Sequence, residues 1–176
     1  MSNIKKHNLI KRKVKKLLKD SGIDFLTFIQ DDNNAEINLN QIIEYLGINL
    51  VNHEFSNDIS GVYYKDVEKF HIGVNSEHPE TRKRFTIAHE IGHHILHDNH
   101  LHYDGENMAE TTYFRATKLT SAEETEANYF AAELLMPEEL IEKCIANGVT
   151  YVGELATCFN VSEQAMRHRL INLGYL

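Results

Sequence analysis

The sequence predicts an α+β fold that is mostly helical and carries a small antiparallel sheet. Three observations lead there. Apolar residues recur at helical spacing in seven separate segments. One β-rich stretch, residues 59–74, interrupts that rhythm. Both prolines, Pro79 and Pro137, stand where helices start, with their fixed φ and missing N–H at the first turn. At 176 residues, 42% hydrophobic and 25% charged, the chain has enough apolar material for one domain with a real core.

The elements follow in order. Residues 4–18 form an amphipathic helix, with Ile10, Val14, Leu17 and Leu18 on one face and lysines on the others. Gly22 suits the left-handed position that ends it. A short helix over 40–46 closes at Gly47 and leads into a strand-like stretch, 48–55. Residues 61–64 and 69–74 read as a hairpin, with Phe70, Ile72 and Val74 on one face and His71 and Gly73 on the other. From Pro79 to His97, the residues Phe85, Ala88, Gly92, Ile95 and Leu96 make one apolar stripe. Residues 98–120 are polar and irregular and read as a long loop, with a short strand over 112–116. Ser121 with Glu124 has the form of a capping box, opening a helix that Pro137 ends. The helix begun by Pro137 ends near Gly148, and a helical pair over 152–159 and 162–173 completes the chain.

Composition excludes several functions. The nine glycines and two prolines do not fit a disordered or collagenous chain, and no apolar run approaches a membrane span. No apolar block and cleavage site follow the basic start, so no secretory signal is expected and the expected compartment is the cytoplasm. Cys144 and Cys158 make no disulfide framework and no C-x-x-C pair. The net charge of −8 conceals a division: residues 1–20 carry +7 and the remainder −15. Histidines are also clustered, six of the eleven lying between His89 and His102.

His89-Glu90-Ile91-Gly92-His93 is an H-E-x-x-H motif. Histidines at i and i+4 project from one helix face, so both imidazoles can reach one metal ion. The glutamate beside the first histidine can accept a proton from the attacking water, the general-base role in metallopeptidases. Zinc is the default metal for two imidazoles, one carboxylate and an open fourth position, and one ion is expected. His97 lies a further turn along a straight helix, past the metal. The spacing H-E-x-x-H-x-x-G-x-x-H fails, because positions 96 and 99 are Leu96 and Asn99. His94, His97, His100 and His102 are therefore read as supporting or surface residues.

A third ligand then comes from a downstream helix, where Glu123, Glu124, Glu126 and Glu133 are candidates. Glu123 and Glu124 suit the first turn, where the helix dipole and capping box favour carboxylates. Glu126 shares a face with Tyr129, Phe130 and Glu133, and a half-buried carboxylate there needs a counter-charge that a metal supplies. Against it stands the ordinary alternative of a surface glutamate.

The residues 84–93 (Arg-Phe-Thr-Ile-Ala-His-Glu-Ile-Gly-His) and 126–137 (Glu-Ala-Asn-Tyr-Phe-Ala-Ala-Glu-Leu-Leu-Met-Pro) resemble the ImmA/IrrE family of metallopeptidases. A weaker echo is Tyr113-Phe114-Arg115, and the likeness covers about residues 40–173. The resemblance implies a zincin-like metallopeptidase domain, placed at 23–148, between the basic helix 1–22 and a helix-turn-helix-like C-terminal appendage 149–176 packed on it. It implies Glu126 as third metal ligand, beside His89 and His93, with Glu90 as the catalytic base. It also implies a protein substrate: a helix-turn-helix repressor of a prophage, mobile element or stress operon. In zincin-like enzymes a sheet edge can receive the substrate as an added strand, here 69–74 or 112–116. Candidates for binding substrate or the oxyanion are His71, Tyr113, Arg115 and Tyr129.

Two other functions fit parts of the sequence. One is a non-proteolytic regulatory or toxin–antitoxin partner that keeps the metal for structure; Glu90 disfavours it, since a structural site needs no base. The other is DNA binding through the chain ends, with Gln164, Arg167 and His168 on a reading helix. Residues 151–176 hold only two arginines against two glutamates, too little for a phosphate-tracking surface. The basic first helix more often serves as the solvated face of a docked element than as a nucleic-acid or membrane site.

Overall fold

The structure is a computed structural model and describes residues 3–24, 34–56, 58–65, 67, 69–97, 102–104 and 120–176. Helix α1 (Asn3–Asp20) presents Ile10, Val14, Leu17 and Leu18 to the core, as its periodicity predicts. Gly22 ends it with φ +79°, a conformation that costs other residues a clash. Helix α2 (Leu39–Leu46) starts where the Asn38 side chain accepts from Gln41 N–H, and closes at Gly47 with φ 66°. Strands β1 (Asn49–His53), β2 (Gly61–Lys65) and β3 (Phe70–Asn75) lead into α3 (Glu80–Leu96), which carries the H-E-x-x-H motif. After β4 (His102–Asp104) come α4 (Ser121–Leu135), α5 (Glu138–Ala146), α6 (Val152–Cys158) and α7 (Glu163–Leu173). Pro79 and Pro137 each sit one residue before their helix, in extended backbone.

The fold is α+β as expected, but the sheet is mixed. Its order is β1-β3-β2-β4. The hairpin pairs Gly61 with Val74 and Lys65 with Phe70, and β4 lies antiparallel on the other side of β2. β1 runs parallel to β3, with Asn49 opposite His71 and His53 opposite Asn75. The chain reverses between β1 and β2 and again between β2 and β3, so neighbours β1 and β3 must point the same way. This order corrects one expectation. Residues 69–74 form an interior strand, hydrogen-bonded on both sides, and cannot receive a substrate strand. The 112–116 segment lies outside the described residues.

Phe70, Ile72 and Val74 of β3 and Gly61 and Tyr63 of β2 face α3, while His71 and Gly73 face away, the alternation read from the sequence. α4 covers the other side of α3, and Phe130, Ala131, Leu134 and Leu135 are fully buried there. α1, α6 and α7 share the same contiguous core. Two buried arginines tie the outer parts to it. Arg84 of α3 pairs with Glu36 at 2.7 Å and donates to the carbonyls of Ile37 and Asn160. Arg169 of α7, 2% exposed, pairs with Glu133 of α4 at 2.6 Å and donates to the carbonyl of Met136.

Removing one partner of such a pair strands the other charge in apolar surroundings. Arg169→Met should therefore cost about 3–5 kcal/mol in urea unfolding, and adding Glu133→Leu should restore most of it. Equal losses for the single and double variants would show that the charge pair is not the source of the destabilisation.

Candidate metal centre

His89 and His93, one turn apart on α3, are 5% and 2% exposed. Their Nε2 atoms lie 2.9 Å apart, with the rings close to perpendicular, so both nitrogens face one point. Glu90, between them in sequence, is wholly buried on the sheet side of α3. A Cβ added at Gly61 of β2 would lie 3.4 Å from the Glu90 carboxylate and 2.3 Å from the Thr86 methyl, so strand and helix approach closely only because residue 61 is glycine. The Tyr63 hydroxyl beside it, bonded to His94 Nδ1 at 2.6 Å, has its pKa pushed well up by burial and by the charge on Glu90.

The third member of the group, facing the histidine pair, is Glu124. Its carboxylate oxygens lie 3.3 Å from His89 Nε2 and 3.7 Å from His93 Nε2, and the three residues form a group able to hold one metal ion. Glu126, expected in this place, lies elsewhere in the structure: it meets Lys6 Nζ at 2.6 Å and His97 Nε2 at 3.4 Å. The reason is the position of the helix start. Thr120, not Ser121, is the N-cap, and its capping box uses Glu123, which leaves Glu124 to turn toward α3. Residues i and i+2 point to nearly opposite sides of a helix, so Glu124 and Glu126 cannot serve the same point. Glu133, the remaining candidate, is held by Arg169. The missed signal was a second i, i+4 pair, Glu124 and Asn128, matching His89 and His93 across the helix interface.

The donor set fits zinc. Asn128 Oδ1 lies 3.0 Å from His89 Nδ1, and an amide oxygen only accepts, so Nδ1 carries the proton and Nε2 presents its lone pair. Burial pushes the His93 pKa down, which favours the neutral, metal-binding imidazole. Glu124 adds a carboxylate whose side chain is 34% exposed, so the group opens to solvent on the α4 side.

The other candidates fall elsewhere. His71 stacks on Tyr64 on the sheet face turned away from α3, bonded to Asn49, and does not join the centre. Tyr129 stacks on His7 of α1 at 4.0 Å. Tyr113 and Arg115 lie outside the described residues. His94 packs on Tyr63 and Phe70, and His97 lies 3.0 Å from His93 Nδ1; both support their neighbours, as the spacing predicted. A groove of about 1030 Å³ begins at Thr125 and Asn128 and runs between α3 and α7, with Phe85, Tyr129, Ala132 and Leu173 on its apolar walls. Cys144 is buried and its thiol is pushed up to about 11 by burial, which leaves no thiolate nucleophile there.

Comparison with known proteins gives the following. Residues 43–171 match the profile of the peptidase M78 family, described as an IrrE N-terminal-like domain. A Bacillus phage phi105 protein, "uncharacterized immunity region protein 2", is 30% identical over 134 residues, which is 70% of this chain and 79% of that protein. The radiation response metalloprotease IrrE of Deinococcus deserti is 37% identical over 115 residues, 60% of this chain and 37% of that one. Its counterpart in Deinococcus radiodurans is 37% identical over 87 residues, 46% and 23% of the two chains. The matches thus cover less than two-fifths of either IrrE protein.

Geometry ranks the two glutamates. Glu124→Ala should weaken zinc binding by more than the about 10–100-fold that a supporting hydrogen bond commands, and Glu126→Ala should weaken it less. Competition with a chromophoric chelator measures both, and the reverse ranking would restore Glu126 as ligand.

Proposed function

We propose, from the premise that this chain belongs to the IrrE N-terminal-like family of M78 peptidases, that it is a zinc-dependent endopeptidase acting on a protein substrate. The observation that carries this reading is one constellation: His89, His93 and Glu124 grouped about one point, with Glu90, next to His89 in the chain, wholly buried on the same helix. Zinc held by these three side chains would supply Lewis-acid polarisation of the scissile carbonyl and of the attacking water. Glu90 takes the proton as that water attacks and passes it to the leaving amine. Asn128 keeps His89 in the tautomer that ligation needs. The apolar groove beginning at Asn128 receives substrate side chains, and β4, an edge of the sheet among the described residues, offers backbone groups to an extended substrate. A purely structural metal site would have no use for a buried glutamate at position 90.

The substrate proposed is a helix-turn-helix repressor encoded by a prophage, mobile element or stress operon. The resemblance to the ImmA/IrrE family supports this, as does likeness to a phage protein named for an immunity region. Such a substrate places the activity in the cytoplasm, and no helix among the described residues is long and apolar enough to cross a membrane. DNA binding by the chain itself is disfavoured, because Arg169, one of the two arginines in the C-terminal pair, is buried on Glu133.

Glu90→Gln should lower, by about 10²–10⁴-fold, hydrolysis of a helix-turn-helix repressor that the wild type cleaves, while zinc content stays at the wild-type level. Cleavage followed by mass spectrometry reads the outcome, and undiminished hydrolysis by the variant would remove Glu90 from the mechanism. Chelator treatment should stop cleavage by the wild type, and added zinc should restore it.

A further inference from the structure

The whole of α1 lies ahead of the family match, which begins at residue 43, yet this helix reaches the candidate metal centre through a continuous chain of polar contacts. His93 Nε2 faces Glu124, and the opposite ring nitrogen, Nδ1, lies 3.0 Å from His97 Nδ1. His97 Nε2 lies 3.4 Å from Glu126 Oε2, and Glu126 Oε1 lies 2.6 Å from Lys6 Nζ. Only one proton arrangement satisfies the whole chain once His93 Nε2 is a ligand. His93 Nδ1–H donates to His97 Nδ1, so the His97 proton sits on Nε2 and donates to Glu126. The carboxylate accepts on its other oxygen from Lys6.

The end of the chain is anchored. Lys11 pairs with Glu138 at 2.5 Å, Lys15 pairs with Glu139, and Lys13 Nζ donates to the Ile95 carbonyl at 2.9 Å. These contacts fix α1 against α3 and α5 and hold Lys6 over Glu126. The His97 side chain is 6% exposed, so solvent has little access to the middle of the chain.

We propose that His97, Glu126 and Lys6 form a positioning relay that holds His93 in its metal-binding tautomer and orientation, so that α1 sets the metal affinity of the centre. The inference rests on the metal-centre reading above. Partners that hold the far nitrogen of a ligating histidine raise its basicity and fix its ring, and their loss weakens metal binding.

The test is zinc affinity of the full chain, measured by competition with a chromophoric chelator, with thermal unfolding of the metal-free protein as the check on folding. His97→Phe should weaken zinc binding by about 10–100-fold. Glu126→Gln should weaken it by a smaller factor and Lys6→Met by a smaller one still. Lys6→Arg should retain the wild-type affinity, a rescue that a general loss of packing would not give. Lys16→Met, which removes a lysine that pairs with Asp20 inside α1, should leave affinity unchanged. Lys6 is 43% exposed, so its variants keep the test open if His97→Phe does not fold. Wild-type affinity in His97→Phe, Glu126→Gln and Lys6→Met overturns the relay and leaves the metal centre standing. Equal weakening by Lys6→Met and Lys16→Met overturns it in favour of a diffuse charge effect. A wild-type chain that binds no zinc overturns the relay and the metal centre together.

Discussion

The close approach of α3 and α4 at Gly92 is the contact on which the centre depends. A Cβ at residue 92 would lie 3.2 Å from the Ala127 carbonyl and 3.2 Å from Phe130 Cβ, tighter than ordinary packing. With glycine there, α4 comes near enough for Glu124 and Asn128 to reach His89 and His93. Gly61 does the same on the opposite side, letting β2 lie against Thr86 and Glu90. α3 is thus held between α4 and the sheet with a glycine at each closest contact. Its histidine pair projects toward α4, and its glutamate lies against the strand. The buried apolar set of α4, with Phe130, Ala131 and Leu134 fully enclosed, keeps that spacing rigid.

What could be read from the sequence was what is local. Two histidines at i, i+4 with a glutamate between them define their own geometry on any helix, so His89, Glu90 and His93 need no tertiary information. The periodic faces of α1 and β3 were legible for the same reason. The third member of the group was not, because its identity turns on which of two adjacent hydroxyl residues caps α4. Ser121 and Thr120 both qualify by type, and a shift of one residue moves the capping glutamate from Glu124 to Glu123. The parallel pairing of β1 with β3 depends on strand order, which no local pattern carries. β4, only three residues long, is too short for an alternation to be seen. Gly92 belongs to an apolar stripe by its spacing, although its importance lies in the side chain it lacks.

The uneven charge along the chain finds a structural use. α1 places Lys6, Lys11 and Lys15 on Glu126, Glu138 and Glu139, so part of the N-terminal positive charge meets part of the acidic excess of α4 and α5. Such half-exposed pairs contribute little stability each. Their number and their fixed spacing on one helix set its register, which is what a relay ending at Lys6 needs. The buried Arg169–Glu133 pair has a similar role at the other end of the chain, locking α7 onto α4. The ligand helix is therefore braced from both termini.

The central claim is that two histidines of α3 and Glu124 of α4 hold one zinc ion. Anomalous diffraction at the zinc edge from crystals grown with zinc tests it most directly. One peak is expected, about 2.0–2.2 Å from His89 Nε2, His93 Nε2 and a Glu124 oxygen. A peak bound by Glu126 in place of Glu124, or no peak at the histidine pair, would contradict it.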